Sequence, residues 1–282
     1  MASSETALSV LGADWLGLCR RAAARAREAV STFETYAERA AETGRGEGGD
    51  MALAIDRAAE DAIFAELELL GIGVTAVSEE RGEVEIAGGG PVHVVIDPID
   101  GSLNAKRNFP FHCVSIAVAG GRTMGDVQLG YVMDLPTGDE WWALQGQGAF
   151  LNSSPLPAVN SEASIEVLGV ESANPLLIAP MAQAIVDSGA RRIRCPGAIA
   201  LTLCNVGASR LDGMFSLAPC RSVDAAAGQL IVREAGGAVA FPDAGDDPMA
   251  TSLDLDMRSR VFAAPGPRQL DQLVTTVLEA AR

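Results

Sequence analysis

The sequence predicts an α/β (α+β) protein built in layers. Three observations predict it. Roughly the first seventy residues hold two Ala/Arg/Glu-rich stretches with apolar residues at helical spacing. Short apolar runs divided by Gly, Pro and Asp follow, to about residue 155. From about residue 160, strand-like and helix-like segments alternate. With 282 residues, 48% of them hydrophobic, the chain suffices for one large or two intimate domains around a sizeable core. The expected division is a helix–sheet half over 1–155 and an αβα half over 156–282.

Trp15, Leu18, Cys19, Ala22, Ala29, Val30 and Phe33 predict one helix over 13–41, with no Pro or Gly after Gly17. GRGEGGD, over 44–50, predicts a loop. A second helix is expected over 52–70, closed by Gly71. Strands are expected over 74–77, 92–96, 113–119, 127–133 and 140–144, the last two and GQGAFLN forming an antiparallel meander. Then come a strand over 165–170, a helix over 175–188 that reads as buried, a strand over 192–194 and a helix over 198–207. A strand over 213–217, a helix over 224–235, strands over 238–241 and 261–264 and a closing helix over 267–281 complete the chain.

Twenty-one Lys and Arg against 37 Asp and Glu leave a net charge of −16. That field excludes a generic nucleic-acid backbone binder and argues against docking on an anionic membrane. Lys106 is the single lysine. Cys19, Cys113, Cys195, Cys204 and Cys220 are scattered, without CxxC or His-rich spacing, so a zinc site or disulfide framework is not expected. No secretory signal is evident and no apolar run approaches the ~18 residues needed to span a bilayer, so a reducing, cytoplasmic setting is expected.

The sharpest local feature is IDPIDGS, 96–102. An apolar strand runs out into Asp97 and Asp100, with Pro98 fixing the backbone between them and Gly101 freeing it afterwards. Two anions so close repel, and a divalent cation is the simplest remedy; oxygen-only ligands favour a hard ion, Mg²⁺ before Zn²⁺. The competing reading is an Asp-Pro turn capping a helix. Upstream, 74–77 ends in Ser78-Glu79-Glu80, which alone would read as a solvated strand end. Downstream, Asp224 opens an apolar helix, where an N-cap is the ordinary use.

Glu79-Glu80, Asp97-Pro98-Ile99-Asp100-Gly101-Ser102 and Asp224-Ala225-Ala226-Ala227-Gly228 resemble, in order and spacing, the three signatures of the inositol monophosphatase family. These are Mg²⁺-dependent, lithium-sensitive phosphatases, a superfamily that includes fructose-1,6-bisphosphatases and 3′-phosphoadenosine-5′-phosphate phosphatases. Gly146–Asn152 looks like the family's GxGAFxNG turn and Glu234-Ala235-Gly236-Gly237 like its EAGG helix end. The likeness covers about residues 10 to 280. It implies an αβαβα sandwich and two to three Mg²⁺ per site. One ion would be held by Glu79, Asp97 and the Ile99 carbonyl, one by Asp97, Asp100 and Asp224, and a hydrated third would lean on Glu79. It further implies a phosphate on the Gly101 and Ser102 amides, at a helix N-terminus that binds an anion without lysine. The Ser102 hydroxyl, where most members have Thr, would orient the attacking water, with Asp56 as its partner and Asp50 behind it as a candidate. The alternative for Asp56 is an ordinary exposed acid. Segment 44–49 would be a loop closing over the site, or a plain linker.

Three positions depart from the inositol-phosphatase pattern. Val223 stands where a Trp usually precedes the aspartate, Ser216 near where an acid contacts inositol hydroxyls, and Cys195 in place of a serine near the sugar. Residues 100–105 and 221–224 look closer to the archaeal-type branch, some of whose members also hydrolyse fructose 1,6-bisphosphate. Arg194 and Arg221 could meet a second phosphate, although solvent-facing ion pairs are the commoner fate of an Arg. Inositol 1-phosphate leads, with fructose 1,6-bisphosphate, adenosine 3′,5′-bisphosphate and histidinol phosphate as rivals, and a non-catalytic binding module as the alternative class. A small phosphorylated metabolite and a homodimer are the expected partners. His93 and His112 read as core or edge residues. Trp141 and Trp142 face opposite sides of a strand, one for the core and one for a dimer partner. Lys106 and Arg107 fit an interface or the substrate's vicinity.

Overall fold

A computed structural model of the chain describes residues 12–47 and 51–281. Helix α1 (Trp15–Ser31) starts where Asp14 accepts a hydrogen bond from the Gly17 N–H. The helix expected over 13–41 is interrupted after Ser31 and restarts as α2 (Tyr36–Arg39), because Thr35 and Glu38 form a reciprocal capping box. Part of the glycine-rich segment is ordered too. Strands β1 (Glu42–Arg45) and β2 (Met51–Leu53) pair antiparallel and lead into α3 (Ala54–Leu69).

An eight-stranded sheet follows. It comprises β3 (Val74–Ser78), β4 (Gly82–Ile86), β5 (His93–Asp100), β6 (Cys113–Ala119), β7 (Val127–Asp134), β8 (Glu140–Leu144), β9 (Gly148–Leu151) and β10 (Ser154–Pro155). The order is β10-β9-β8-β7-β6-β5-β3-β4, with β3 and β5 parallel. Helix α4 (Ser102–Lys106) leaves the end of β5.

The second sheet holds β11 (Val167–Glu171), β12 (Arg192–Arg194), β13 (Gly213–Ser216), β14 (Ala238–Ala240) and β15 (Phe262–Ala264), in the order β12-β11-β13-β15-β14. Between them run α5 (Pro175–Ile178), α6 (Ala182–Asp187), α7 (Ile199–Gly207) and α8 (Ser222–Glu234), and α9 (Pro267–Ala280) closes the chain. The helix expected over 175–188 is divided by a 3₁₀ turn at Ala179–Met181, where Pro180 lacks the N–H an α-helix would use. Nor is it buried: Leu176 is 84% exposed and Val186 63%, while Met181 and Ala184 point inward.

Five layers result. Helices α1 and α3 cover one face of the large sheet through Trp15, Ile63, Phe64, Leu67 and Tyr131. Helices α7 and α8 fill the space between the sheets. Helices α6 and α9 cover the outer face of the small sheet around Phe215, Phe262 and Leu273. Both Trp141 and Trp142 lie inside this arrangement, one in each core of the large sheet, and Trp142 stacks on Phe150 with centroids 4.0 Å apart. The expectation that one of them meets a dimer partner is therefore not met. Among the described residues no helix is long and apolar enough to cross a membrane.

The middle layer depends on small residues. A Cβ at Gly130 of β7 would lie 2.5 Å from the Ala227 carbonyl of α8, and one at Gly228 would lie 2.7 Å from the Leu203 Cβ of α7. Gly130→Ala is expected to lower the unfolding free energy by about 2–3 kcal/mol, since backbone rather than a flexible side chain must yield. Urea unfolding of the variant beside the parent checks this.

Candidate active site

Strand β5 builds the site with one irregularity. Asp97 pairs with Ser115 and Asp100 with Cys113, so three steps on β5 match two on β6. In an unbroken strand, residues three apart face opposite sides. The extra residue at Pro98-Ile99 resets that alternation. Ile96 and Ile99 both enter the α1/α3 core, whereas the Asp97 and Asp100 carboxyls share the side facing α7 and α8. Pro98, without an N–H, suits the break in the ladder. The Ile99 N–H donates to Asp97 Oδ1 at 3.0 Å.

The other acids arrive from three elements. Glu79 follows β3, and the preceding Ser78 turns the opposite way, to Glu60 at 2.5 Å. Asp224 lies in the first turn of α8, where it accepts from the Arg221 N–H at 2.8 Å and shares a hydrogen bond with Asp97. Asp56 lies in the first turn of α3 near Ser102 and accepts from the Leu53 N–H at 3.1 Å through Oδ2, while its Oδ1 is buried without a hydrogen-bond partner. It is 4% exposed, so the reading of Asp56 as an ordinary surface acid fails. Asp224 serves both as a helix-start acceptor and as a member of the cluster.

Burial, followed by mutual repulsion, holds the carboxyls of Glu79, Asp97 and Asp100 well above the usual carboxylate range; burial raises Asp224 too, against the pull of Arg221. Burial likewise lifts Asp56 to about 6 and Glu80 to about 7. As the side chains stand, no group of three or more His, Cys, Asp or Glu among the described residues could hold a metal ion. Their present partners give the reason. Glu79 Oε1 accepts from Arg221 Nη1 at 2.6 Å, Asp100 Oδ2 from the Ala200 N–H at 2.6 Å, and Asp97 is bonded to Asp224. The donor set itself, crowded carboxyl oxygens with one guanidinium against them, suits a hard divalent cation once those side chains turn.

Gly101 has φ +90°, and a Cβ there would lie 2.8 Å from the Phe111 carbonyl and 3.1 Å from that of Gly197. Glycine alone fits. It caps α4, whose first-turn N–H groups have no partner within the helix. The Ser102 hydroxyl donates to the Ile99 carbonyl at 2.8 Å. A cleft of about 570 Å³ opens beside Asp100 and Asp224 and is lined further by Asn104, Phe109, Glu171 and Cys195.

The remaining sequence candidates divide. Cys195 is exposed in the cleft. Arg194 is exposed in an adjoining cavity of about 310 Å³ with Phe109, Phe111 and Arg210. Arg221 faces Glu79. Ser216 is not brought to the cleft: it is fully buried, and its Oγ accepts from the Val261 N–H at 3.0 Å, tying β13 to the segment before β15. Lys106 lies over the Tyr36 ring at 5.9 Å. Asp50 is outside the described residues, but Glu47 donates its N–H to the Glu80 carbonyl at 3.2 Å, so the segment before it reaches the acidic end of β3. Sequence reasoning missed Glu171, although VLGVE is one more apolar strand emptying into a carboxylate.

The inositol monophosphatase family model matches residues 14–282. The fructose-1,6-bisphosphatase/inositol-1-monophosphatase of Methanothermobacter thermautotrophicus is 34% identical, over 94% of this chain and 96% of its own. The Nus factor SuhB of Haemophilus influenzae is 32% identical, over 88% and 92% respectively. A solved inositol monophosphatase–fructose 1,6-bisphosphatase superposes with a TM-score of 0.79 at 25% identity, covering 93% of this chain and 99% of that one.

A raised carboxyl holds its proton more tightly in the folded chain than in the unfolded one. Its stabilising contribution is complete below the unfolded value and is lost as pH rises through the folded one. With Asp56 raised to about 6 and Glu80 and Glu171 to about 7, the metal-free protein is expected to lose stability between about pH 4 and about pH 7. Asp97→Asn, which removes one charge from the crowded set, is expected to raise the urea midpoint at neutral pH and flatten that slope.

Proposed function

The chain belongs to the inositol monophosphatase family, and from that premise we propose that it is a Mg²⁺-dependent phosphomonoesterase acting on a small sugar or polyol phosphate, inositol 1-phosphate first. The observation that carries this reading is the gathering of Glu79, Asp97, Asp100 and Asp224 beside a cleft, with Ser102 and the buried Asp56 close by. Those four acids and the Ile99 carbonyl would hold two to three Mg²⁺. Bound there, the metal supplies a lowered pKa for water and a counter-charge for phosphate oxygens.

The chain's own residues do the rest. The Gly101 and Ser102 N–H groups receive the phosphate. The Ser102 hydroxyl donates its one proton to the Ile99 carbonyl, and the nearby Asp56 Oδ1, which has no donor, is an alternative acceptor for it once the side chain turns. Given to Asp56, that proton leaves the Oγ lone pairs to accept from the attacking water and orient it. Glu79 draws on the same water as a base. Cys195, in the cleft, is read as a sugar contact, and Arg194 and Arg221 as partners for a second phosphate. The last pair keeps fructose 1,6-bisphosphate as the principal rival, consistent with the name of the archaeal relative. Leu103, Phe109 and Phe111, 63%, 55% and 40% exposed near the cleft mouth, support a homodimer. Five free cysteines agree with a cytoplasmic setting. A role without hydrolysis is the second reading, favoured by the likeness to a relative named as a Nus factor.

Phosphate release from inositol 1-phosphate, fructose 1,6-bisphosphate, adenosine 3′,5′-bisphosphate and histidinol phosphate tests the proposal. Turnover should require Mg²⁺, stop in excess EDTA and fall on the order of a thousandfold or more in Asp97→Asn. Full activity in EDTA rejects the metal mechanism. Mg²⁺ binding by calorimetry without turnover on any substrate favours the second reading. Light scattering should give twice the chain mass of 29.2 kDa.

A further inference from the structure

We infer that Glu171 is a positioning residue: from the second sheet, its carboxylate fixes the start of α7 against the Gly101–Ser102 turn and so sets the substrate wall of the cleft. The inference rests on the phosphatase reading above. Glu171 ends β11 and is 2% exposed. Its Oε2 accepts from the Gly197 N–H at 3.1 Å and its Oε1 from Thr202 Oγ1 at 2.5 Å. Asp100 Oδ2 accepts from the Ala200 N–H at 2.6 Å. The amides of Gly197 and Ala200, either side of the entry to α7, are thus held by two carboxylates, one from each sheet.

A helix start carries partial positive charge, and carboxylate–amide bonds are the stronger kind of hydrogen bond, which explains an acid in so buried a place. The contact is passed on. Asn104 of α4 donates through Nδ2 to the Pro196 carbonyl at 2.8 Å, closing the other side of the same segment. Gly101 leans on Gly197 and Ala198 with no room for a Cβ. Glu171 is an unsuitable phosphate contact, being a buried acid whose oxygens already have protein donors. It acts through the 195–199 segment instead.

Glu171→Gln brings a second set of donors to a place already full of donors, so the segment must shift. The expected result is a KM raised roughly tenfold with kcat changed less than about threefold, and faster amide hydrogen exchange over 196–202 that extends to 101–104. Glu171→Asp, which keeps the charge, should recover part of both. Thr202→Val, which removes the hydroxyl shared between Glu171 and the Ala198 carbonyl and leaves the Gly197 bond in place, should give the same changes on a smaller scale should Glu171→Gln fail to fold. A lowered melting temperature with unchanged KM and no change in exchange at 101–104 overturns the inference. If the parent protein hydrolyses no phosphomonoester, the phosphatase reading fails, and the exchange pattern alone still decides the positioning role.

Discussion

Crowded negative charge is the constraint on which the structure depends. Glu79, Asp97, Asp100 and Asp224 are brought within each other's fields by β3, β5 and α8, where burial already disfavours the ionised form. A fold selected for stability alone would not keep them there. Arg221 offsets part of the cost through Glu79, and backbone amides at the starts of α7 and α8 offset part through Asp100 and Asp224. Each of these is a place where an incoming cation has something to displace. A protein of net charge −16 can in this way present a field favourable to a phosphate.

The scaffold's task is to bring the two sheets close enough for that cluster to form. Small residues do this. Ala227 and Gly228 let α8 press on Gly130 and Leu203 together, so the middle layer is thin where the site needs it. Asp224 of α8 and the N–H donor of α7 then reach the end of β5 across a space that larger side chains would have widened. Packing and function are coupled here through distance alone.

Much of this was legible in the sequence. Runs such as CVSIAVA and EWWAL declare their strands, and Cys113–Ala119 and Glu140–Leu144 are observed with the bounds expected. The metal-ligand candidates were readable because Glu79, Asp97 and Asp100 close apolar strands and Asp224 opens an apolar helix, a pattern that burial enforces. The break between α1 and α2 was written in Thr35 and Glu38, but a continuous apolar stripe outweighed the cap. GEVEI, the strand β4, was passed over because its charged alternate positions resemble a loop. Ser216 was placed near the substrate by its position relative to a family pattern, yet its side chain turns inward to pair with Val261, and a neighbouring strand's hydrogen-bonding needs are invisible in one dimension. Glu171 went unread for the same reason: its partners lie 26 and 31 positions away.

The irregularity at Pro98-Ile99 has the widest reach. Up to Ile96 the strand keeps an even count, one residue to each face, and there it skips a beat. The two aspartates are therefore neighbours by parity and not by chemistry. Exchanging side chains along this segment changes what the site contains, whereas gaining or losing a single backbone unit would send one acid among the leucines beneath the sheet. The length of this stretch, more than its composition, is what the lineage of such a chain has least freedom to alter.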